Sequence, residues 1–240
     1  MTIRRIIPNS LTCCNLLCGA AAVFAVTQDW YTLALLLMIG GALFDFFDGL
    51  SARALHAPSP IGVELDSLAD DITFGLAPAM ALFCYLRPMI GWWSAIALLM
   101  AAFAALRLAK FNVDTRQTSS FIGLATPPNA IFWGSICCIP HEVMNATWAP
   151  WVMLGLSLIS CYLLVSEIPF FSLKFHHLRW HENEAKWLFL IGMIVILIFS
   201  IMRALHCAHL EMAFLCGAAI VVWYVLLNAV YQVLTHKDKK

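Results

Sequence analysis

Four aspartates in an otherwise apolar sequence are the residues best suited to do chemistry. Asp45 and Asp48 are three positions apart, and Asp66 and Asp70 are four positions apart. If both halves of this stretch are helical, each pair lies on one face of its helix. The segment between the halves, about residues 55–61, contains two prolines. We therefore expect the chain to reverse there and to bring the two acidic faces together.

The cost of placing these carboxylates in a membrane indicates that they bind cations. Each aspartate costs about 2.5–3.5 kcal/mol at mid-membrane depth, so four cost on the order of 10–14 kcal/mol before their mutual repulsion. Oxygen ligands without Cys or His favour Mg²⁺ or Mn²⁺ over Zn²⁺. Two such ions about 3.5–4 Å apart are suited to in-line phosphoryl chemistry. The plainer alternative is that the aspartates are solvated at helix ends and are inert.

The composition indicates an integral membrane protein. Hydrophobic residues make up 62% of the 240 positions and charged residues 12%, which is too apolar for a soluble domain of this size. The net charge of zero gives no indication of a nucleic-acid partner. We predict an all-α, polytopic membrane helix bundle with a short amphipathic segment at residues 1–10. About eight transmembrane helices are expected, at 11–26, 31–54, 63–86, 90–111, 127–140, 150–168, 187–206 and 212–234.

The fifth apolar stretch is short, with Asn and Pro at both ends, and is expected to kink or to re-enter the membrane. We predict a single membrane domain over residues 1–240, because no linker, repeat or low-complexity tract marks a boundary. Within it, the catalytic core is expected at 11–175 and an additional helix pair at 187–235.

The distribution of basic residues predicts the orientation of the chain. If the N-terminus is cytoplasmic and all eight stretches cross, twelve Lys and Arg residues lie on the cytoplasmic side and only Arg87 and Arg203 on the other. This agrees with the positive-inside rule and places the aspartates near the cytoplasmic face. Pro8, Asn9 and Thr12 disfavour a signal peptide at the N-terminus.

Polar and small residues near the aspartates are candidates for contacts with a nucleotide. A polar stripe at three-residue spacing opens the first apolar stretch, although capping and interhelical hydrogen bonds are plainer roles for it. Two small residues and an arginine follow the first acidic pair; small side chains let a ligand approach the backbone, and a guanidinium matches phosphate oxygens. These candidates are Asn9, Thr12, Asn15, Gly49, Ala52 and Arg53.

Two cations mark the end of the fourth apolar stretch, in the segment LRLAKFNVD. Arg107 and Lys110 have a plain interpretation as anchors at the membrane surface. Arg107, however, lies at least one turn inside the apolar segment, and a bidentate arginine suits the carboxylate of an amino acid.

The acidic stretch resembles the CDP-alcohol phosphatidyltransferases, because it matches their DxxDGxxARx8GxxxDxxxD signature at every position. The resemblance implies a membrane enzyme that moves a phosphatidyl group from a CDP-linked lipid to an alcohol and releases CMP. It implies two divalent ions held by the four aspartates, with Asp70 also acting as the base, and it adds Gly62 to the CDP-binding residues. Homodimers are common in that family. The matching residues are Asp45, Asp48, Gly49, Ala52, Arg53, Gly62, Asp66 and Asp70.

Further segments resemble one branch of that family, the membrane-embedded bacterial phosphatidylserine synthases, over about residues 6–175. On that resemblance the substrates are CDP-diacylglycerol and L-serine, and Arg107, Lys110 and Asn112 contact serine. The location implied is the bacterial cytoplasmic (inner) membrane, with the active site facing the cytoplasm. One departure is the loop at 123–128, which reads GLATPP where the branch often has Gly-Leu-Pro-x-Pro. The segments are IPNSLTCCNLLCG, ELDSLADDITFGLAPA, LRLAKFN, FIGL and SEIPFFSLKF.

Two alternatives remain open. The same metal site would serve another acceptor, such as glycerol phosphate, inositol phosphate or an amino alcohol. A membrane cation transporter also carries intramembrane carboxylates. It would need acids deep in several spans on a path to the far side, whereas here they cluster at one face.

Overall fold

The computed structural model is a bundle of helices, described over residues 3–57, 59–114, 121–144, 146–170, 183–206 and 213–237. The all-α membrane bundle predicted from the sequence is confirmed. Two short strands, β1 (Phe121–Ile122) and β2 (Pro169–Phe170), form one antiparallel pair. The helices are α1 (Ile3–Thr27), α2 (Tyr31–Ala54), α3 (Pro60–Asp70), α4 (Ala77–Ile90), α5 (Leu99–Val113), α6 (Thr126–Cys137), α7 (Ala149–Val165), α8 (Glu184–His206) and α9 (Leu215–Lys237).

Five helical stretches in the described part of the chain are long and apolar enough to cross a membrane. The longest, Pro60–Val113, folds back at Gly91, where φ is +59°, so that α5 returns along α4. The apolar helix α7 is shorter than these five, and α6 has only 12 residues. The number of eight crossings therefore stays a prediction. The five stretches are Arg5–Thr27, Tyr31–Ala54, Pro60–Val113, Glu184–Arg203 and Leu215–Val233.

The N-terminal residues expected to lie on the membrane surface are instead continuous with α1, which begins at Ile3. Pro8 lies inside the second turn of this helix, so α1 lacks the one hydrogen bond that its N–H would make to the carbonyl of residue 4. The N-terminal part of α1 thus places Asn9 and Thr12 at the helix end that faces α2 and α3.

The start of α3 explains how the chain reverses after α2. Pro60 occupies the first turn, where its fixed φ suits a helix. The Ser59 hydroxyl caps the helix by accepting a hydrogen bond from the Gly62 N–H at 3.1 Å. This cap fixes the direction in which α3 leaves the turn and places its acidic face opposite that of α2.

A π-helical turn at Asp71–Leu76 joins α3 to α4 and docks against α1 and α2. Its Thr73 is fully buried and donates a hydrogen bond to the Asn15 carbonyl at 3.0 Å. A Cβ on Gly19 would lie 2.7 Å from the Thr73 Cα, and one on Gly41 would lie 2.6 Å from the Thr73 Cγ2. The π turn therefore approaches both helices more closely than any side chain would allow, directly after Asp70.

Gly19→Ala is expected to lower the thermal stability of the protein by about 1–3 kcal/mol, the usual cost of overpacking. The added methyl group would meet backbone atoms of Thr73, which cannot rotate away. Thermal unfolding in detergent measures the change. Gly155→Ala on α7 is the matched control, because nothing lies within 4 Å of its Cβ position. An equal loss in both variants would contradict the close approach.

Candidate active site

Carboxylates from two helices converge at one point of the bundle. Asp45 and Asp48 on α2 and Asp66 on α3 each offer an oxygen within 4.8 Å of the other two. Asp48 is 6% exposed, and its Oδ2 accepts a hydrogen bond from the Thr12 hydroxyl at 2.6 Å. Asp66 Oδ1 is buried and has no hydrogen-bond partner in the described part of the chain. A buried, unsatisfied carboxylate oxygen in an all-oxygen donor set fits a hard divalent cation.

Asp70, in the last turn of α3, is the fourth aspartate of this acid cluster, but its oxygens lie outside the set that is within 4.8 Å of one another. Its carboxylate interacts electrostatically with the other three, and its Oδ1 accepts a hydrogen bond from Asn15 Nδ2 at 3.0 Å. The neighbouring Asp71 points elsewhere, since its Oδ1 lies 2.7 Å from the Cβ position of Gly75 on the π turn. The cluster therefore consists of the residues with the predicted spacing, and Asp71 is not a fifth member.

A pocket of about 170 Å³ between α1, α2 and α3 opens onto the acid cluster. A Cβ on Gly49 would have nothing within 4 Å, so this position borders open space. A Cβ on Gly62 would lie 3.1 Å from the Ser59 hydroxyl and 3.4 Å from Asn9 Oδ1. The pocket brings together five of the predicted nucleotide contacts, namely Asn9, Thr12, Gly49, Ala52 and Gly62, beside Asp48 and Asp66.

The other two predicted nucleotide contacts lie elsewhere. Asn15 is fully buried, and its side-chain amide donates a hydrogen bond to Asp70. It does not line the pocket. Arg53 lies at the exposed end of α2 and donates from Nε to the Gly49 carbonyl at 3.0 Å. This bond holds the guanidinium along the last turn of α2, in which Ala52 lines the pocket.

The comparison with known families accounts for this arrangement of acids. The family model described as CDP-alcohol phosphatidyltransferase matches residues 5–229, which include the whole acid cluster. The chain belongs to this family. It is therefore a transferase.

Several curated members of the family are similar to this phosphatidyltransferase along much of its length. A Bacillus subtilis protein named CDP-diacylglycerol–serine O-phosphatidyltransferase is 36% identical over 74% of this chain and 94% of its own. A Helicobacter pylori (strain J99) protein of the same name is 26% identical over 97% of this chain and 95% of its own. One from Methanocaldococcus jannaschii is 33% identical over 66% of this chain and 74% of its own.

A small recess lined by two basic residues lies near the end of α5 in this phosphatidyltransferase. Arg107 is only 8% exposed and interacts electrostatically with Asp70. Its Nη1 donates to the Thr126 hydroxyl at 3.2 Å, while its buried Nε has no hydrogen-bond partner among the described residues. Lys110 lines the same recess and pairs with Glu167 at 3.5 Å. The recess thus offers a buried, partly unsatisfied guanidinium within reach of the acid cluster.

Asn112, predicted beside these two cations, is directed to another partner. It is exposed, and its Nδ2 donates to the Ser67 hydroxyl at 2.8 Å, which links α5 to α3. It does not line the recess that contains Arg107 and Lys110. The structure therefore places Asn112 at a helix contact on the outer side of the site.

Two residues near Arg107 were missed by sequence reasoning: Ser166 lines the recess, and Thr126 accepts the hydrogen bond from Arg107. Thr126 begins α6 directly after the loop that follows β1, and Ser166 directly follows α7. Gly123 has φ +76°, and a Cβ there would lie 2.6 Å from the Leu164 carbonyl, so only glycine fits. Its N–H donates to the Ile168 carbonyl at 2.9 Å, which fastens the loop to the segment between α7 and β2. The sequence signal for this loop was the departure at residues 123–128, which begins with Gly123.

Proposed function

We propose that the chain transfers the phosphatidyl group of CDP-diacylglycerol to the hydroxyl of L-serine, giving phosphatidylserine and CMP. The observation that supports the proposal is the convergence of Asp45, Asp48 and Asp66 within 4.8 Å of one another. Asp70, which interacts electrostatically with these three carboxylates and with Arg107, is the proposed base. The printed names of the Bacillus and Helicobacter relatives support serine as the acceptor.

The pocket side of the site binds the CDP portion in this proposal. Asp45, Asp48, Asp66 and Asp70 hold two divalent ions, Mg²⁺ or Mn²⁺, which when bound supply positive charge to the diphosphate. Thr12 fixes the rotamer of Asp48 through its 2.6 Å hydrogen bond. The open space at Gly49 lets the diphosphate approach the backbone of α2. Arg53 offers its outer guanidinium N–H groups to a phosphate oxygen.

Serine binds beside Arg107 in this proposal. The Arg107 guanidinium donates hydrogen bonds to the serine carboxylate, with Lys110 adding a second positive charge at the recess. Asn15 holds one oxygen of Asp70, so the other oxygen is available to take the proton of the serine hydroxyl. The hydroxyl oxygen then attacks the phosphorus of the lipid in line, and CMP leaves.

We infer a bacterial cytoplasmic membrane location with the acid cluster facing the cytoplasm, supported by the asymmetry of Lys and Arg. The proposal also divides the single domain into a core at 11–175 and an added pair at 187–235. Every site residue falls on α1–α7 or their loops, and α9 packs on α6 where Gly217 faces Ile131 and Ser135. A homodimer is part of the proposal by family resemblance.

A panel of acceptors incubated with CDP-diacylglycerol and the purified protein tests the function. We expect CMP release with L-serine that exceeds release with glycerol phosphate, inositol phosphate or ethanolamine by at least tenfold. If CMP release is highest with another acceptor, the protein catalyses the same reaction with that alcohol and not with serine. Cation flux across a vesicle without CMP release would instead indicate a transporter.

Arg107→Lys is expected to raise the KM for serine about 10- to 100-fold with little change in the KM for CDP-diacylglycerol. Lysine keeps the charge but loses the bidentate fork that matches a carboxylate, and a charged hydrogen bond is worth about 1.5–3 kcal/mol. Steady-state kinetics, with each substrate varied in turn, measure the KM for serine and the KM for CDP-diacylglycerol separately. Arg87→Lys is the matched control, since Arg87 stacks on Trp92 near the Gly91 turn. An unchanged KM for serine in Arg107→Lys would remove Arg107 from the serine site.

A further inference from the structure

The recess that contains Arg107 has two walls, which come from different parts of the chain. One wall is α5, with Arg107, Lys110 and Phe111. The other wall is formed by Ile122 on β1 and by residues 164–166 at the end of α7. Residues 164–166 lead into β2, and β1 pairs with β2. The position of this second wall relative to α5 therefore depends on the strand pair.

The strand pair is too short to hold the wall in place alone. Each strand has two residues, with Phe121 opposite Phe170 and Ile122 opposite Pro169. Even a longer pair of strands is only marginally stable when it is isolated. We therefore expect another element of the fold to support β1 and β2.

Helix α9 supplies that support at the Pro169 carbonyl. Asn228 is buried, and its Nδ2 donates a hydrogen bond to this carbonyl oxygen at 3.1 Å. Gln232, one turn further along α9, donates to the same oxygen from Nε2. Residues four positions apart share one face of a helix, so two amides of α9 hold a single carbonyl. Pro169 is the residue that lies opposite Ile122 of the recess wall.

An aromatic contact holds the next residue of β2. Phe170 is buried and stacks on the ring of Tyr224 on α9, with the ring centroids 5.7 Å apart. Tyr224 in turn meets Phe189 of α8 edge to face at 5.6 Å. Such ring contacts stabilise a fold beyond the apolar area that they bury. Both helices are thus connected to the strand pair, although none of the described residues that line the recess comes from α8 or α9.

We propose that α8 and α9 position the acceptor recess, and that Asn228 is the positioning residue, acting through Pro169 and Ile122. This role rests on the proposed function, because it takes the recess with Arg107 as the site of the acceptor. A small shift of Ile122 would move the apolar wall relative to the guanidinium and change how closely an acceptor carboxylate approaches it. A displacement of about 1 Å far from the chemistry can cost about 10²-fold in rate. Asn228 itself contacts neither reactant.

Asn228→Ala is expected to raise the KM for serine about 3- to 10-fold, the range expected for the loss of one net hydrogen bond that holds the wall. The KM for CDP-diacylglycerol and kcat should change by less than about twofold, because neither the nucleotide pocket nor the acid cluster contains a residue of the strand pair. CMP release, with each substrate varied in turn, measures these constants. Ser200→Ala is the matched control, since it removes a hydrogen bond of α8 to the Ala213 carbonyl that does not involve β2.

Gln232→Ala decides the question if Asn228→Ala fails to fold, because it weakens the same contact near the end of α9. Its KM for serine should rise about 2- to 5-fold, with Val233→Ala as the control at an exposed neighbouring position. A KM for serine that stays equal to that of the control would overturn the proposal. A lower kcat with both KM values unchanged would also overturn it, because general destabilisation acts in that way. If CMP release requires another acceptor, the serine assignment fails, and the KM for that acceptor tests the positioning role by the same comparison.

Discussion

Asp70→Asn is expected to reduce turnover by about 10²–10⁴-fold, the range typical for loss of a general base. Asparagine has nearly the same shape, and its oxygen can still accept the hydrogen bond from Asn15 that now reaches Asp70 Oδ1. The amide cannot take the proton of the acceptor hydroxyl. CMP release measures the turnover, and binding of CDP in the presence of Mg²⁺ should remain measurable by titration calorimetry.

Asp71→Asn is the matched control for this prediction. It makes the same substitution one residue later, at a carboxylate that faces Gly75 on the π turn and lies outside the acid cluster. Its turnover should fall by less than about tenfold, because no proton transfer is removed. An Asp70→Asn protein that remains as active as Asp71→Asn would exclude Asp70 as the base.

Removal of divalent cations is expected to abolish turnover completely, and either Mg²⁺ or Mn²⁺ should restore it. The three carboxylates within 4.8 Å of one another repel when no cation lies between them. Cation binding should therefore also raise the thermal stability, by about 2.7 kcal/mol at a concentration 100 times the Kd. Activity after chelation and re-addition, together with thermal unfolding at several cation concentrations, measures both effects.

Two variants on α3 connect this effect to the acid cluster. Asp66→Asn should weaken Mn²⁺ binding and reduce the thermal shift, because Asp66 Oδ1 is buried and has no partner among the described residues. Glu64→Gln, two positions away, removes a charge outside the cluster and should change neither. Turnover that survives exhaustive chelation would contradict the metal site, as would equal losses in both variants.

The acid cluster could be predicted from the sequence because its causes are local. Spacings of three and four positions place each pair on one helix face, and the Ser59–Pro60 pair that starts α3 is a short-range signal. Most predicted apolar stretches form helices for the same reason, since apolar runs of sufficient length form helices in any arrangement of the bundle. Two boundaries differ, because α1 begins at Ile3 and not at residue 11, and the third and fourth stretches are continuous between Pro60 and Val113.

The features that sequence reasoning missed depend on contacts between distant segments. Asn15 continues the spacing of Asn9 and Thr12, but it lies deeper along α1, where the π turn covers it. No local pattern identifies the π turn, because it forms against Gly19 and Gly41 on two other helices. Likewise, the contact between Arg107 on α5 and Thr126 on α6 joins residues that are far apart in the sequence.

Asn15 uses its backbone carbonyl to receive Thr73 and its side-chain amide to hold Asp70. One residue therefore fixes both the packing of the π turn and the orientation of the Asp70 carboxylate. A shift of α1 would move the π turn and the Asp70 carboxylate together. Variants that loosen the packing of the π turn should therefore also lose activity. Substitutions that raise the thermal stability at this contact should therefore also extend the temperature range over which the enzyme is active.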